Sequence, residues 1–170
     1  MDTQRKSNRE GLIEAWFERY GSAVLRSCYV LLRDRSLAQD AMQETFLKAW
    51  QNLDRFENRG GASEKGWLMR IAANTCRDMQ RSGWFRHVDR SLAPEDLPPA
   101  MLAVSDEDRT LFLSVMQLPL RHRQVLILYH YNSLTLKETA EALRLSVSAA
   151  RYRLKKAEEA LKKALEGENA

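Results

Sequence analysis

The stretch Leu134-Thr-Leu-Lys-Glu-Thr-Ala-Glu-Ala-Leu-Arg-Leu-Ser-Val-Ser-Ala-Ala-Arg-Tyr-Arg-Leu-Lys-Lys-Ala157 decides the fold. Thr135 stands three residues before Glu138, the spacing of a reciprocal N-terminal helix cap. Leu136, Thr139, Ala140 and Leu143 then recur at helical intervals and mark one buried stripe. Arg144-Leu145-Ser146 interrupts the pattern, and Ser146 can cap a second helix. That helix carries Ala150, Leu154, Ala157, Leu161 and Leu165 on one side and Arg151, Tyr152, Lys155 and Lys156 on the other. Two short amphipathic helices with a tight turn, the second one basic, suit insertion into a DNA major groove. From Thr135 to Lys163 there are eight basic side chains against four acidic ones. The surplus lies early in the second helix, the end that meets base edges.

Working outward, strand signals are nearly absent and helical periodicity is nearly continuous. Ile13, Trp16, Phe17, Tyr20, Val24, Cys28 and Leu31 predict a first long helix, bent at Gly21. Ser36 and Gln39 have capping-box spacing for the next. Its stripe is Ala38, Ala41, Met42, Thr45, Phe46, Ala49, Trp50 and Leu53. A polar, glycine-containing loop precedes a third helix with Trp67, Leu68, Ile71, Ala72, Thr75, Cys76 and Met79 on its apolar side. Composition changes after Gly83, where three of the four prolines occur, Pro94, Pro98 and Pro99. Prolines lack the backbone donor and resist helix continuation, so this tract reads as a linker. Ser105 and Asp108 offer another cap, followed by helices over Leu111–Leu118 and Pro119–Tyr131. The expected fold is all-α: two small helical domains joined by a flexible Pro-containing linker, the C-terminal one containing a helix-turn-helix. The domains are expected at residues 11–90 and 105–166, with the linker at 91–104.

The chain has 170 residues, a formal net charge of +4 and a sequence pI of about 9.2. That balance favours a polyanionic partner. Cys28 and Cys76 fall on apolar helix faces and read as buried, reduced thiols of a cytoplasmic protein. No apolar run reaches membrane-spanning length, and Met1–Glu10 lacks a signal-peptide core. His87, His122 and His130 show no ligand spacing with the cysteines, so no metal or cofactor is expected. Glycine motifs that cradle phosphates are also missing from the sequence.

Two polar surfaces stand out besides the helix-turn-helix. On the second helix Asp40 and Glu44 lie four apart, beside Gln43 and the flanks of Phe46 and Trp50. Like charges at that spacing cost a few tenths of a kcal/mol, and an acidic, hydrogen-bonding face suits a basic protein partner. A catalytic carboxylate pair would need a concave pocket, which one exposed helix face does not offer. On the third helix Arg70, Asn74, Arg77 and Arg81 form the opposite stripe. From Arg55 to Arg90 there are eight bases against four acids. Trp67 stands beside this basic region. It reads either as a stacking platform for single-stranded nucleic acid or, by periodicity, as core.

These pieces resemble a specific family. Leu37-Ala-Gln-Asp-Ala-Met-Gln-Glu-Thr-Phe-Leu-Lys-Ala-Trp50, then Leu53-Asp-Arg-Phe56 and Trp67-Leu-Met-Arg-Ile-Ala-Ala-Asn74, resemble the core-binding and promoter-melting domain of a bacterial RNA polymerase sigma factor. Leu118-Pro119, the Val125–Tyr131 helix and the helix-turn-helix resemble its second domain. The small two-domain layout resembles that of the extracytoplasmic-function group. The resemblance implies a transcription initiation factor, not an enzyme, that directs core polymerase to promoters and assists melting. It implies core polymerase and promoter DNA as partners, and allows a cognate anti-sigma factor. Asp40, Gln43, Glu44, Phe46 and Trp50 would dock on polymerase. Asn58, Arg59, Ser63, Lys65, Trp67, Arg70, Asn74 and Arg77 would engage the minus-ten element. Ser148, Ala149, Arg151, Tyr152, Lys155 and Lys156 would read the minus-thirty-five element. Family members often carry glycine where Arg144 stands, so this turn is expected to pay a small strain cost. The alternative is a stand-alone helix-turn-helix regulator, which would have no use for the acidic face at Asp40 and Glu44.

Overall fold

The computed structural model describes residues 1–57, 63–82 and 105–168. The expectations placed on Asn58 and Arg59, and on the 91–104 linker, lie outside the described residues. Helix α1 spans Asp2–Leu32 and α2 Arg35–Gln51. A short α3 covers Leu53–Glu57, and α4 runs Glu64–Arg81. After the undescribed stretch come α5 (Asp106–Gln117), α6 (Leu120–Leu126), a π-helical turn (Ile127–Tyr131), α7 (Leu136–Leu143) and α8 (Val147–Glu168).

Local chemistry sets most of these boundaries. α1 ends where Arg33 adopts a left-handed conformation (φ 56°) and its N–H donates to the Tyr29 carbonyl. The cap of α2 is Asp34, whose Oδ1 accepts from Leu37 N–H at 2.9 Å. Ser36, expected as that cap, lies one residue inside the helix. Aspartate in an extended conformation two residues earlier takes the role first. Ser63 and Ser105 cap α4 and α5 through the amides of Gly66 and Asp108. At α7 both halves of the expected capping box form: Glu138 N–H donates to Thr135 Oγ1, and Thr135 N–H to Glu138 Oε2. Ser146 Oγ accepts from Ala149 N–H and starts α8.

In the N-terminal module α1, α2 and α4 pack against one another. α2 presents Ala38, Ala41, Thr45 and Ala49 inward. Such small side chains let the helix axes approach, and the buried Thr45 hydroxyl donates back to the Ala41 carbonyl at 2.7 Å. In the C-terminal module α8 buries Ala150, Leu154 and Ala157 against α6 and α7. α1 is the one long helix expected, continuous through Gly21, and departs from expectation at Phe17, which lies on the sequence stripe yet is 47% exposed.

The two modules share one hydrophobic core. Cys28, Tyr29, Val30, Leu31 and Leu32 are consecutive and all buried, more than one face of a helix can supply to one neighbour. α4 covers part of this end of α1, and α6 with its π turn covers more. The Tyr29 ring stacks on Phe112 of α5, with centroids 6.1 Å apart. Arg123 of α6 is 6% exposed and donates to the carbonyls of Val30 (2.8 Å), Leu31 (3.3 Å) and its own module's Leu118 (2.7 Å). It meets the C-terminal carbonyls of α1, the negative end of that helix. Burial, with Arg33 nearby, brings its guanidinium down to about 10, so it remains a cation at neutral pH. Asn132 reaches across in the same way, its amide donating to Ser27 Oγ at 2.9 Å.

Arg144 closes α7 with φ 56° and ψ 41°, the conformation in which glycine was expected. A β-carbon there costs roughly 1–2 kcal/mol, part of which glycine returns through its greater unfolded-state entropy. Arg144→Gly should therefore stabilise the protein by about 1 kcal/mol and raise Tm by about 2–4 °C. A melting curve that is unchanged or lower would show that the Arg144 side chain is worth more than the strain.

Candidate nucleic-acid interface

Three surfaces carry the candidate residues, and the structure treats them differently. The outer face of α8, the second helix of the helix-turn-helix, is bare. Ser148, Ala149, Arg151, Tyr152, Lys155 and Lys156 are all exposed. Tyr152 is the most open large hydrophobic side chain described in this helix at 65%, and Lys156 Nζ lies 5.6 Å from its ring centre. Cation and ring thus hold one another in an orientation that faces outward. Behind this surface, Glu158 Oε1 meets His130 Nε2 at 2.7 Å and ties α8 to the π turn. A rigid, solvent-facing basic helix on a packed helix pair is the geometry that enters a major groove.

The acidic face of α2 is also open. Asp40 and Gln43 are exposed, and Glu44 is half-buried, 3.7 Å from Lys48 Nζ. Of the two aromatics expected to show an open flank, Phe46 is placed otherwise. Phe46 is buried behind Phe17, with ring centroids 5.1 Å apart, edge on. Trp50 is half-buried, and its carbonyl accepts from Arg9 at 3.2 Å. The apolar side chains that reach solvent here are Leu47, at 48%, and Phe17. Leu47 was missed in the sequence although it lies three, four and seven residues from Glu44, Gln43 and Asp40. That spacing puts all four on one helix face.

The α4 surface is partly covered. Ser63 is exposed, whereas Lys65, Arg70, Asn74 and Arg77 are half-buried. Trp67 is 7% exposed and its ring lies edge on to Trp16 (6.0 Å) and tilted against Phe56 (5.2 Å). In this arrangement it is core, and its ring contacts join the start of α4 to α3 and α1. Gly66, Met69 and Ala73, at intervals of three and four, are buried on the side that faces α7. A β-carbon on Gly66 would come within 2.8 Å of Glu138 Oε1. Farther along, Arg77 donates to Asn74 Oδ1 at 2.6 Å and to the Ala142 carbonyl of α7 at 3.4 Å. Its guanidinium is held below the usual arginine value by burial first, then by Arg144 and Arg81. Sequence periodicity places Arg70, Asn74 and Arg77 opposite the apolar side of the helix and does not reveal this second contact.

Among the described residues no cluster of three or more His, Cys, Asp or Glu side chains is placed to hold a metal ion. No described helix is long and apolar enough to cross a membrane.

Comparison with known proteins adds an independent observation. The pattern of sigma-70 region 2 matches residues 16–86, and that of sigma-70 region 4 matches residues 115–163. The chain is 33% identical over 165 residues to RNA polymerase sigma factor CarQ of Myxococcus xanthus, spanning 92% of each chain. It is 27% identical over 161 residues to the ECF RNA polymerase sigma factor SigW of Bacillus subtilis, spanning 86% of this chain and 84% of that one. Its fold is shared with the sigma factor RpoE of Bartonella quintana, solved with the anti-sigma factor NepR. The TM-score is 0.72 at 21% identity, over 90% of this chain and 96% of that one. CnrH, solved with the cytosolic domain of CnrY, gives a TM-score of 0.68 at 24% identity over 97% and 94%.

Proposed function

The chain belongs to the sigma-70 family of RNA polymerase sigma factors, and from that membership we propose how its three surfaces divide the work of an alternative sigma factor. The α2 face built from Asp40, Gln43, Glu44 and Leu47, with Phe17 beside it, docks on core polymerase. The α4 face, with Ser63, Lys65, Arg70, Asn74 and Arg77, engages the melted minus-ten strand. Trp67 and Phe46 serve these surfaces from behind. Arg151, Tyr152, Lys155 and Lys156 of α8 read the minus-thirty-five duplex, with Ser148 and Ala149 at the helix start. The protein contributes binding rather than catalysis, acts in the cytoplasm where polymerase is, and is open to control by an anti-sigma factor.

The observation that favours this over a stand-alone regulator is the exposed face of α2, where two open acceptors flank an open leucine. A DNA-only protein gains nothing from acidic and apolar groups left in solvent. Asp40→Lys should lower affinity for core polymerase at least about tenfold through lost electrostatic complementarity, and Leu47→Ala should lower it less. Run-off transcription with core polymerase, beside a binding titration, checks this. Full transcription by Asp40→Lys would remove α2 from the docking surface. Transcription by the parent chain at no promoter would remove the sigma-factor reading.

A further inference from the structure

The first turns of α1 carry a polar face that none of the three surfaces uses. Asp2, Arg5, Lys6 and Arg9 recur at intervals of three and four, so they stand in one row along the helix. That row forms one wall of a cleft of about 510 Å³, and Trp50, Gln51 and Asp54, from the end of α2 and from α3, form the other. The volume lies within the range of small-molecule sites. The cations here exceed what the fold uses. Arg9 serves the structure: it donates to the Trp50 carbonyl at 3.2 Å, at the negative end of α2, and pairs with Asp54 at 3.3 Å. Arg5 and Lys6, about one turn nearer the start of α1, are exposed and pair with no carboxylate among the described residues. On the opposite wall the Trp50 indole N–H is buried and has no acceptor, a state that buried donors seldom keep. Two free cations and one orphaned donor belong to the walls of one cleft, and all three lack the same thing, an anionic oxygen.

We propose that this cleft binds a small phosphorylated molecule, with Arg5, Lys6 and the Trp50 indole donating to its phosphate oxygens and Asp2 and Gln51 taking hydroxyl groups beside them. A phosphate suits the site better than a single carboxylate, because it offers several acceptor oxygens at once to charged donors. A nucleic-acid strand suits it less. A strand needs a positive groove that tracks its backbone, whereas the positive stretch here is two residues long. It is bounded by Asp2 on one side and by the Arg9–Asp54 pair on the other. Those carboxylates repel the neighbouring phosphates of a chain but accept from the hydroxyl groups of a sugar phosphate or a nucleotide. Gln51 follows Leu47 by one turn of α2, so the occupied cleft borders the face assigned above to polymerase. Binding itself does not depend on that assignment.

The full chain is titrated with ADP, with inorganic phosphate and with a short degenerate DNA single strand, while nuclear magnetic resonance follows the indole N–H signals of its four tryptophans. Trp50→Phe keeps a ring and deletes one signal, which identifies the Trp50 peak. ADP should move that peak saturably, with an affinity at least about tenfold above that of inorganic phosphate. The double variant Arg5→Ala, Lys6→Ala changes two exposed positions. It should weaken ADP binding at least about tenfold with helical circular dichroism intact. A Trp50 peak that ADP leaves in place, or that shifts with equal affinity in the double variant, overturns the proposal. Equal affinity for ADP and inorganic phosphate also overturns it, because charge alone would then be read. Movement by the single strand and not by ADP does the same and gives the cleft to nucleic acid. None of these measurements involves polymerase, so the cleft and the sigma-factor assignment stand or fall separately.

Discussion

Trp16→Ala should destabilise the protein by about 3–5 kcal/mol, the range for removing a large aromatic from a packed core. Trp16 is 2% exposed and lies edge on to both Phe56 (5.0 Å) and Trp67 (6.0 Å). The three rings join α1, α3 and α4 at one point. α3 has five residues, too few to be stable alone, so its place depends on Phe56 and the buried Leu53. Urea denaturation followed by circular dichroism measures the loss. A loss below about 1 kcal/mol would mean that the cluster repacks and that the ring contacts are not what fixes α3. At temperatures where the variant is still folded, promoter opening should suffer more than binding of upstream duplex. Phe56 and Trp67 stand before and after the 58–62 segment in the chain, and all three rings are far in sequence from α8.

Arg123→Met should cost about 2–3 kcal/mol and split unfolding into two steps. Methionine keeps the unbranched apolar stem of arginine but is shorter and donates nothing. The Val30 carbonyl then loses the donor Arg123 supplies, whereas the Leu31 carbonyl keeps the Gln80 amide at 2.9 Å. A buried acceptor left without a partner costs about 1–3 kcal/mol, and relief from burying an unpaired guanidinium offsets part of that. The split is the sharper sign. Arg123 bridges Leu118 of its own module to Val30 of the other, so its loss weakens what makes the halves melt together. Calorimetry that still shows one two-state transition with unchanged Tm would assign the cooperation to the apolar seam alone.

The sequence revealed those features whose cause lies within a few residues. Thr135 and Glu138, Ser146 and Ser105 all cap as their spacing suggested, because donor and acceptor lie within one turn. Ser36 failed for the same local reason, since Asp34 was an equally good acceptor two residues nearer the break at Arg33. The Ala150, Leu154 and Ala157 stripe was legible because its partners sit in the same hairpin. The seam between α4 and α7 was not. Gly66, Met69 and Ala73 are small or flexible and lie among Arg70, Asn74 and Arg77, so the face reads as polar. Its partner is about seventy residues away, and no local pattern reports it. Phe17 shows the reverse. It keeps the period of a core residue, yet it lies at the rim of the α1–α2 contact, covering Phe46 while its own ring stays half open.

The π turn at Ile127–Tyr131 has a consequence for how this protein can vary. Asn132 N–H reaches back to Ile127 O, five residues, where an α-helix would reach back four. The same asparagine then sends its side-chain amide to Ser27. One residue more than an α-turn therefore sets the angular phase at which the chain leaves α6 and enters the helix-turn-helix. Removing it would rotate everything downstream by about 100° about the helix axis. Asn132 would swing off Ser27, and α7 would no longer meet α4. Residue count in this turn, rather than residue type, is thus the coordinate that aligns the two halves. A length change here is a change of gear between them, while substitutions at its solvent-facing positions leave that alignment untouched.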